Sequence, residues 1–400
     1  MNASSFKTSR NDYKIYENKQ ENQTLDILII GAGVIGITIA CALLSKGHRV
    51  KIVTRDLPFE ERSEQCASPW AGAIWYPFED EWNETCKQSY FEKQTFEVMQ
   101  RMKGDTNVKL DYLSQRFQDN LPIFSDDILA YSRTRRVLDQ DRISETLKIP
   151  WWKDVVVNFC EIDERVQDFT TFSLQPTEYL KRLLDHYKCD RLTFHRGTAS
   201  SLARAKEQFL PNADLIINAS GLGARYLADV NDKLVMPIRG QTIVIKKQSA
   251  LEVNQGDDQI QSLFVEGTRD GHDMIYVISR ADSDEILLGG SAEPDSFSTL
   301  PDKDQIQRII QGTKQYSHHL CADLQKSITD PSIIHTGVGL RPGRKGGPRL
   351  DWQEEKKDIN GKQILPPVIH AYGSGKTGFQ VSWGVAIEVM RMVEEHTMVS

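Results

Sequence analysis

The first clear signal along the chain is the short apolar run Leu25–Ile30 (LDILII), the pattern of a strand buried on both faces. The turn Gly31-Ala32-Gly33-Val34-Ile35-Gly36 follows at once, then the apolar stretch Ile37–Lys46, which stops at Gly47 as a helix would. Arg49–Val53 reads as a second strand, so these residues predict a βαβ unit. Asp214–Ala219 (DLIINA) predicts another buried strand, ended by Ser220-Gly221-Leu222-Gly223. Between residues 235 and 295 the texture changes to short β-branched runs, Gln241–Ile245, Met274–Ile278 and Glu285–Leu288, separated by turn residues and charges. Those runs predict antiparallel strands in a different layer. Val368–Tyr372 predicts one more strand, leading through Gly373-Ser374-Gly375 into a helix over about Phe379–Glu395. Elements of the first layer thus lie at both ends of the chain and near its middle, which implies two domains built from interleaved segments.

Composition narrows the functional classes. The chain has 400 residues, 39% hydrophobic and 26% charged, enough for a large core and for more than one domain. A formal net charge of -7 argues against a general nucleic-acid binder, which needs a basic surface. No apolar run reaches the roughly 18 residues of a membrane-spanning helix, so no membrane role is expected. Six cysteines (Cys41, Cys66, Cys86, Cys160, Cys189, Cys321) are scattered without a CxxC pair or zinc spacing, which fits reduced thiols inside a cell and no metal site. Residues 1–24 are polar, lack the apolar segment of a signal peptide, and are read as an N-terminal extension.

The glycine turn has a physical logic when it stands between a buried strand and a helix. Its first glycine permits the tight turn, its second lets a pyrophosphate approach the backbone, and its third lets helix and strand pack closely. The helix N-terminus then offers free N–H groups to the phosphates. The acidic residue expected near the end of the second strand is displaced, since the segment reads Val53-Thr54-Arg55-Asp56. Either Asp56 reaches the ribose or Arg55 contacts the adenosine, and the motif alone leaves FAD and NAD(P) both open.

Several blocks further along decide between them. Arg55-Asp56-Leu57-Pro58 with Ala67-Ser68-Pro69-Trp70-Ala71-Gly72-Ala73 resembles the D-amino-acid oxidase family, particularly its yeast and fungal members. The resemblance continues at Asn218–Ala224 (NASGLGA), Pro237–Gln241 (PIRGQ), Gly339–Arg344 (GLRPGR) with Gly346–Arg349 (GGPR), His370–Gly373 (HAYG) and Gly378–Gly384 (GFQVSWG), in family order over nearly the whole chain beyond residue 25. It implies an α/β fold: a Rossmann-like FAD-binding domain and a substrate domain built on a mixed, mostly antiparallel sheet. Residues 25–80, 175–235 and 335–400 are assigned to the first, and 81–174 and 236–334 to the second. The resemblance places Gly31, Ala32, Gly33, Val34, Ile35, Gly36, Arg55 and Asp56 on the adenosine and pyrophosphate half of FAD. It sets Ser68, Ala71, Gly72 and Ala73 along the isoalloxazine ring, with Gly375, Lys376, Thr377, Gly378, Phe379 and Gln380 closing over its other edge.

The resemblance also implies a substrate pocket. Arg341 matches the family's carboxylate-binding arginine, whose planar fork suits a carboxylate in a dry site. Tyr276 matches a tyrosine whose hydroxyl contacts the same group. His272 stands where some members carry a second tyrosine, and Phe78 and Ile74 fall beside the flavin segment. The arginine matching Arg225 has been linked to the pocket of D-aspartate oxidases. Lys376 replaces the Gly or Ser of relatives; it either points to solvent or favours an acidic side chain. The implied reaction is oxidative deamination of a D-amino acid by hydride transfer from Cα to flavin N5, giving a 2-oxo acid, ammonia and, with dioxygen, hydrogen peroxide. D-aspartate oxidase is the alternative, ahead of a glycine- or sarcosine-type oxidase and an NAD(P)-dependent dehydrogenase. Relatives are often dimers and commonly peroxisomal, so a homodimer is an option. The chain ends His396-Thr397-Met398-Val399-Ser400 without the Ser-Lys-Leu address, which leaves the cytoplasm as the other compartment.

Overall fold

The structure, a computed structural model, describes residues 23–59, 66–79, 81–82, 87–108, 110, 115–139, 144–246, 260–266, 273–281, 284–317 and 333–397. Residues 1–22 of the expected N-terminal extension lie outside that set. Among the described residues six strands form one sheet, in the order β14-β17-β7-β1-β2-β6. They are β1 (Asp26–Ile30), β2 (Arg49–Thr54), β6 (Leu192–Arg196), β7 (Leu215–Asn218), β14 (Arg349–Gln353) and β17 (Val368–Tyr372). All neighbours are parallel except the edge strand β14. Ile27, Leu28 and Ile29 are completely buried because helices or loops cover both faces.

Helix α1 (Val34–Ser45) follows the glycine turn and is buried on nearly every side, which is why its sequence is apolar without a polar stripe. It packs against α7 (Gly378–Thr397), and α7 in turn packs on α2 (Gln88–Met102). The α2–α7 crossing is close: a Cβ on Gly384 would fall 2.3 Å from the Phe91 Cα. Trp383 Nε1 donates to the Tyr179 hydroxyl at 2.9 Å, tying α7 to α4 (Pro176–His186). The short helix α3 (Gln115–Asp119) flanks this layer, and α5 (Leu202–Phe209) covers the opposite face of the sheet, packing on Leu28, Val53 and Ile216.

The second sheet runs β12-β8-β11-β10-β9-β3-β5-β4, with β13 also on β8. Its strands are β3 (Leu129–Leu138), β4 (Val157–Asp163), β5 (Val166–Leu174), β8 (Val235–Lys246), β9 (Ser262–Glu266), β10 (Asp273–Ser279), β11 (Glu285–Ser291), β12 (Glu293–Pro294) and β13 (Ile333–Arg344). Only β3 and β9 pair in parallel, so the sheet is mixed and mostly antiparallel. Helix α6 (Lys303–Tyr316) covers one face with Ile306, Ile309 and Ile310, and Asp302 caps it by accepting from the Asp304 and Gln305 amides. A small ribbon, β15 (Lys356–Lys357) with β16 (Gln363–Leu365), completes the strands. Among the described residues no helix is long and apolar enough to cross a membrane.

One buried pair ties the first sheet together across strands. His370 on β17 accepts at Nδ1 from the Asn218 amide on β7 at 3.1 Å, and its Nε2 faces Gln353 Oε1 on β14 at 3.4 Å. This arrangement requires the neutral ring. Burial, with Arg349 adding to it, lowers the pKa from 6.5 to about 4. The unfolded chain takes up this proton near its ordinary pKa and the native chain only near the lowered one, so between the two the unfolded state binds more protons. Stability should therefore fall as pH drops from 6.5 towards 4, by up to roughly 3 kcal/mol from this group, and be insensitive to it above 6.5. Urea unfolding across that range checks it: His370→Gln should flatten this part of the pH dependence, and an unchanged slope would remove the assignment.

Candidate active site

A cavity of about 840 Å³ is lined by residues of both sheets, within the roughly 300–1,000 Å³ usual for small-molecule and cofactor sites. At one end stands the glycine turn. Gly31 has φ +106°, and a Cβ there would lie 2.4 Å from the Ala219 carbonyl oxygen, so only glycine fits. Gly36 does not line the cavity; a Cβ on it would meet the Gly31 carbonyl oxygen at 2.1 Å, so its part is close helix–strand packing. The α1 N-terminus carries no acidic residue in its first turn, and Ser68 Oγ accepts from the Val34 amide at 3.0 Å. Gly31, Ala32, Gly33, Val34 and Ile35 all face the cavity. Arg55 and Asp56 line it too, with Arg55 Nε and Nη2 on Asp56 Oδ2 at 2.7 and 2.5 Å.

The middle of the cavity is bounded by Ala71–Ile74 and by the turn before α7. Arg280, almost fully buried, donates to the Gly72 and Ala71 carbonyls at 2.9 and 3.1 Å and pairs with Glu285 at 2.6 Å, which fixes that backbone. Gly375, Lys376, Gly378, Phe379 and Gln380 line the opposite side. Thr377 does not; it is buried and donates to the Ser374 carbonyl at 2.9 Å. The Gln380 side-chain oxygen is buried and has no hydrogen-bond partner, and the residue lies on the cavity wall.

Arg341 and Tyr276 converge at the far end. Arg341 on β13 lies across Gly240 of β8, where a Cβ would come within 2.0 Å of its Nη1, and that nitrogen donates to the Ser291 carbonyl at 3.0 Å. The Tyr276 ring on β10 lies over Gly289, and a Cβ on Gly290 would fall 2.7 Å from its hydroxyl. Both side chains therefore reach the same end of β11. Phe78 and Ile74 are on the wall, and the Lys376 ammonium sits over the Phe78 ring at 3.9 Å from its centre. Lys376 is solvent-exposed, and its ammonium stands on the cavity wall against Phe78. Burial first, and Arg341 as a like charge, lower its pKa. Arg225 lines the cavity, but its Nη1 is occupied by the Lys233 and Val235 carbonyls at 2.8 and 2.7 Å. His272 lies outside the described residues.

Sequence reasoning gave no role to several wall residues. Tyr76 stacks on Phe264 at 4.0 Å with rings 2° apart, and its hydroxyl bonds Glu266, which Arg136 holds with two contacts at 2.7 Å. Arg239 donates to the Ser298 and Leu300 carbonyls at 3.0 and 2.8 Å and pairs with Glu293 at 2.6 Å, pinning the loop that brings Phe297 and Thr299 to the cavity. The sequence signal for Arg239 was its place in the Pro-Ile-Arg-Gly-Gln block; Tyr76 and Phe264 had none.

The residues present fit FAD. The glycine turn offers main-chain amides at a helix N-terminus, and Gln380 on the wall carries a buried acceptor without a partner. Gly36→Ala is expected to push α1 off β1, lowering stability by about 1–3 kcal/mol and weakening flavin retention. Visible absorbance after gel filtration, with a thermal melt, reads both; a yellow variant with an unchanged melt would overturn the packing argument.

The comparisons with known proteins agree with this geometry. The sequence profile of the family described as FAD dependent oxidoreductase matches residues 26–392. A D-amino-acid oxidase of Fusarium vanettenii is 27% identical over 391 residues, covering 92% of this chain and 96% of its own. A D-aspartate oxidase of Cryptococcus neoformans is 29% identical over 412 residues, covering 92% and 96%. Among solved structures, glycine oxidase from Geobacillus kaustophilus superposes with a TM-score of 0.63 at 14% identity, over 93% of this chain and 95% of that one. The chain belongs to the FAD-dependent oxidoreductase family.

Proposed function

We propose that this enzyme oxidises D-amino acids at Cα, releasing a 2-oxo acid and ammonia, with dioxygen as final acceptor and hydrogen peroxide as product. The observation that carries this reading is the meeting of Arg341 and Tyr276 at one end of β11, in the cavity that also holds the glycine turn. The curated relatives include both D-amino-acid and D-aspartate oxidases. The NAD(P) alternative left open by the turn alone is closed by the flavin family.

The glycine turn, Arg55 and Asp56 would hold the adenosine and pyrophosphate half of FAD, and Ala71–Ala73 with Gly375–Gln380 the ring. Bound FAD supplies the two-electron acceptor. Arg341 offers a planar guanidinium to the substrate carboxylate, and a charge in such a pocket is tolerable only when paired. The Tyr276 hydroxyl donates to the same carboxylate. With carboxylate and side chain both seated, only one enantiomer turns its Cα–H towards the acceptor. The substrate amine, as free base, supplies the electron pair, so no acid–base side chain at Cα is needed. In this reading residues 25–80, 175–235 and 335–400 serve the cofactor and 81–174 with 236–334 the substrate, with β13 carrying Arg341 across the boundary between the two sheets.

Arg341→Ala should lower kcat/KM by a hundredfold or more, as expected from about 3–5 kcal/mol for breaking a buried charge pair. Gly240→Ala tests the same placement without touching the arginine, since its methyl would displace Nη1; a KM rise of about tenfold is expected. Peroxide-coupled assays with D-alanine, D-methionine, D-glutamate and D-aspartate measure both. Near-normal kinetics in the two variants would sink the proposed site.

A further inference from the structure

Four cationic side chains line the cavity: Arg55 pairs with Asp56, Arg225 bonds the Lys233 and Val235 carbonyls, and Arg341 and Lys376 remain where one α-carboxylate needs one. Arg341 and Lys376 both line it, and among the described residues neither forms an ion pair with a carboxylate. They are also tied together. Gly343 of β13 and Ser374 of the turn before α7 form an isolated β-bridge, and Arg341 and Lys376 each lie two residues from that bridge. We infer that Lys376 is the receptor for a second carboxylate, so that the substrate is an acidic D-amino acid held by Arg341 at its α-carboxylate and by Lys376 at its side chain. This rests on the reading of the cavity as a D-amino-acid site.

Carboxylates act on Lys376 from a distance, and none forms an ion pair with it among the described residues. Glu79, Glu266 and Glu92 act on it, with Arg341 opposing them. Glu266 is held by Arg136 and Tyr76. Glu92 is almost completely buried, accepts from Gln88 at 3.1 Å, and has its pKa pushed by burial to about 7, so it is a poor anion. Glu79 is exposed at the edge. What the ammonium does touch is the Phe78 ring, a cation–π contact weaker than a charge-assisted bond to a carboxylate. A substrate with two carboxylates satisfies both cations; a neutral side chain leaves Lys376 without a directly paired carboxylate.

The test uses the FAD-loaded enzyme. In the unaltered protein kcat/KM for D-aspartate or D-glutamate should exceed that for D-alanine at least tenfold, and Lys376→Met should lower that ratio about tenfold, the upper range for an ion pair made by a solvent-exposed lysine. Lys376→Arg, which keeps the charge, should retain most of the preference. Calorimetry gives a readout apart from turnover: succinate should bind the unaltered protein at least tenfold more tightly than butyrate, and Lys376→Met should erase the difference. Efficient oxidation of D-alanine without acidic preference overturns this inference alone. A Lys376→Met protein that loses flavin but keeps its substrate ratio also overturns it, assigning the lysine to the cofactor. Failure to oxidise any D-amino acid overturns the functional reading, and this inference with it.

Discussion

The site depends on the register of β13 against β8. Gly339 pairs with Gly240 and Arg341 with Ile238, which lays the arginine side chain over the one residue of β8 that leaves it room. A slip of one residue would turn Arg341 to the other face of the sheet and present Leu340 or Pro342 instead. The same ladder seats Trp70, because Gly337 and Gly339 leave space for its indole; a Cβ on Gly337 would fall 1.9 Å from that ring. Missing side chains on two adjacent strands thus decide where a cation and an aromatic wall can stand.

Seen this way, the arginines around the cavity divide by what satisfies them. Arg280 clamps the Ala71 and Gly72 carbonyls, Arg239 the Ser298 and Leu300 carbonyls, and Arg225 the Lys233 and Val235 carbonyls. Two of these also reach a carboxylate, Glu285 and Glu293. Each holds a stretch of backbone at the cavity; Arg280 and Arg239 commit Nε and both terminal nitrogens to partners, and Arg225 commits Nη1. Arg341 gives one nitrogen to the Ser291 carbonyl and meets no carboxylate among the described residues. Arg280 and Arg239, buried and saturated by their own protein, are scaffolding, and Arg341 keeps the free donors that the proposed function gives to a substrate carboxylate.

How much of this could be read from the sequence follows from what each element buries. β1, α1 and β17 were legible because they are covered on both sides, so their sequences are apolar almost without interruption. The predicted strand over 214–219 and helix over 379–395 are Leu215–Asn218 and Gly378–Thr397, differing only at ends that fray. Gln241–Ile245 falls in the second half of the longer β8, whose first half carries Pro237, Arg239 and Gly240 and so does not look like a strand. β3 was missed for a stronger reason: its buried positions include Ser132, Thr134 and Arg136, because this strand supplies the arginine that holds Glu266 and, through it, Tyr76. A strand with polar residues inside inverts the alternation on which such readings rest. α2 hides similarly, since Glu92, Gln94 and Thr95 are buried with its apolar residues. Arg341 and Tyr276 were legible only through motifs, and the direction of Lys376 not at all, because the turn that aims it is set by the bridge to β13.

That bridge also separates chemistry from selectivity. The parallel sheet presents main-chain amides to a dinucleotide, a task that depends on backbone shape and on glycines at 31 and 36. In the proposed function the antiparallel sheet presents side chains to the substrate. Lys376 belongs by sequence to the first layer, on the connection from β17 to α7, yet the Gly343–Ser374 bridge sets it beside the residues of the second. Residue 376 can therefore change without altering the β13–β8 ladder that positions Arg341, and the ladder can persist whatever side chain faces the far end of the substrate. A fold arranged this way can keep one oxidation reaction while the charge on a single turn residue selects among substrates, and the lysine in this chain adds positive charge to a pocket already holding Arg341.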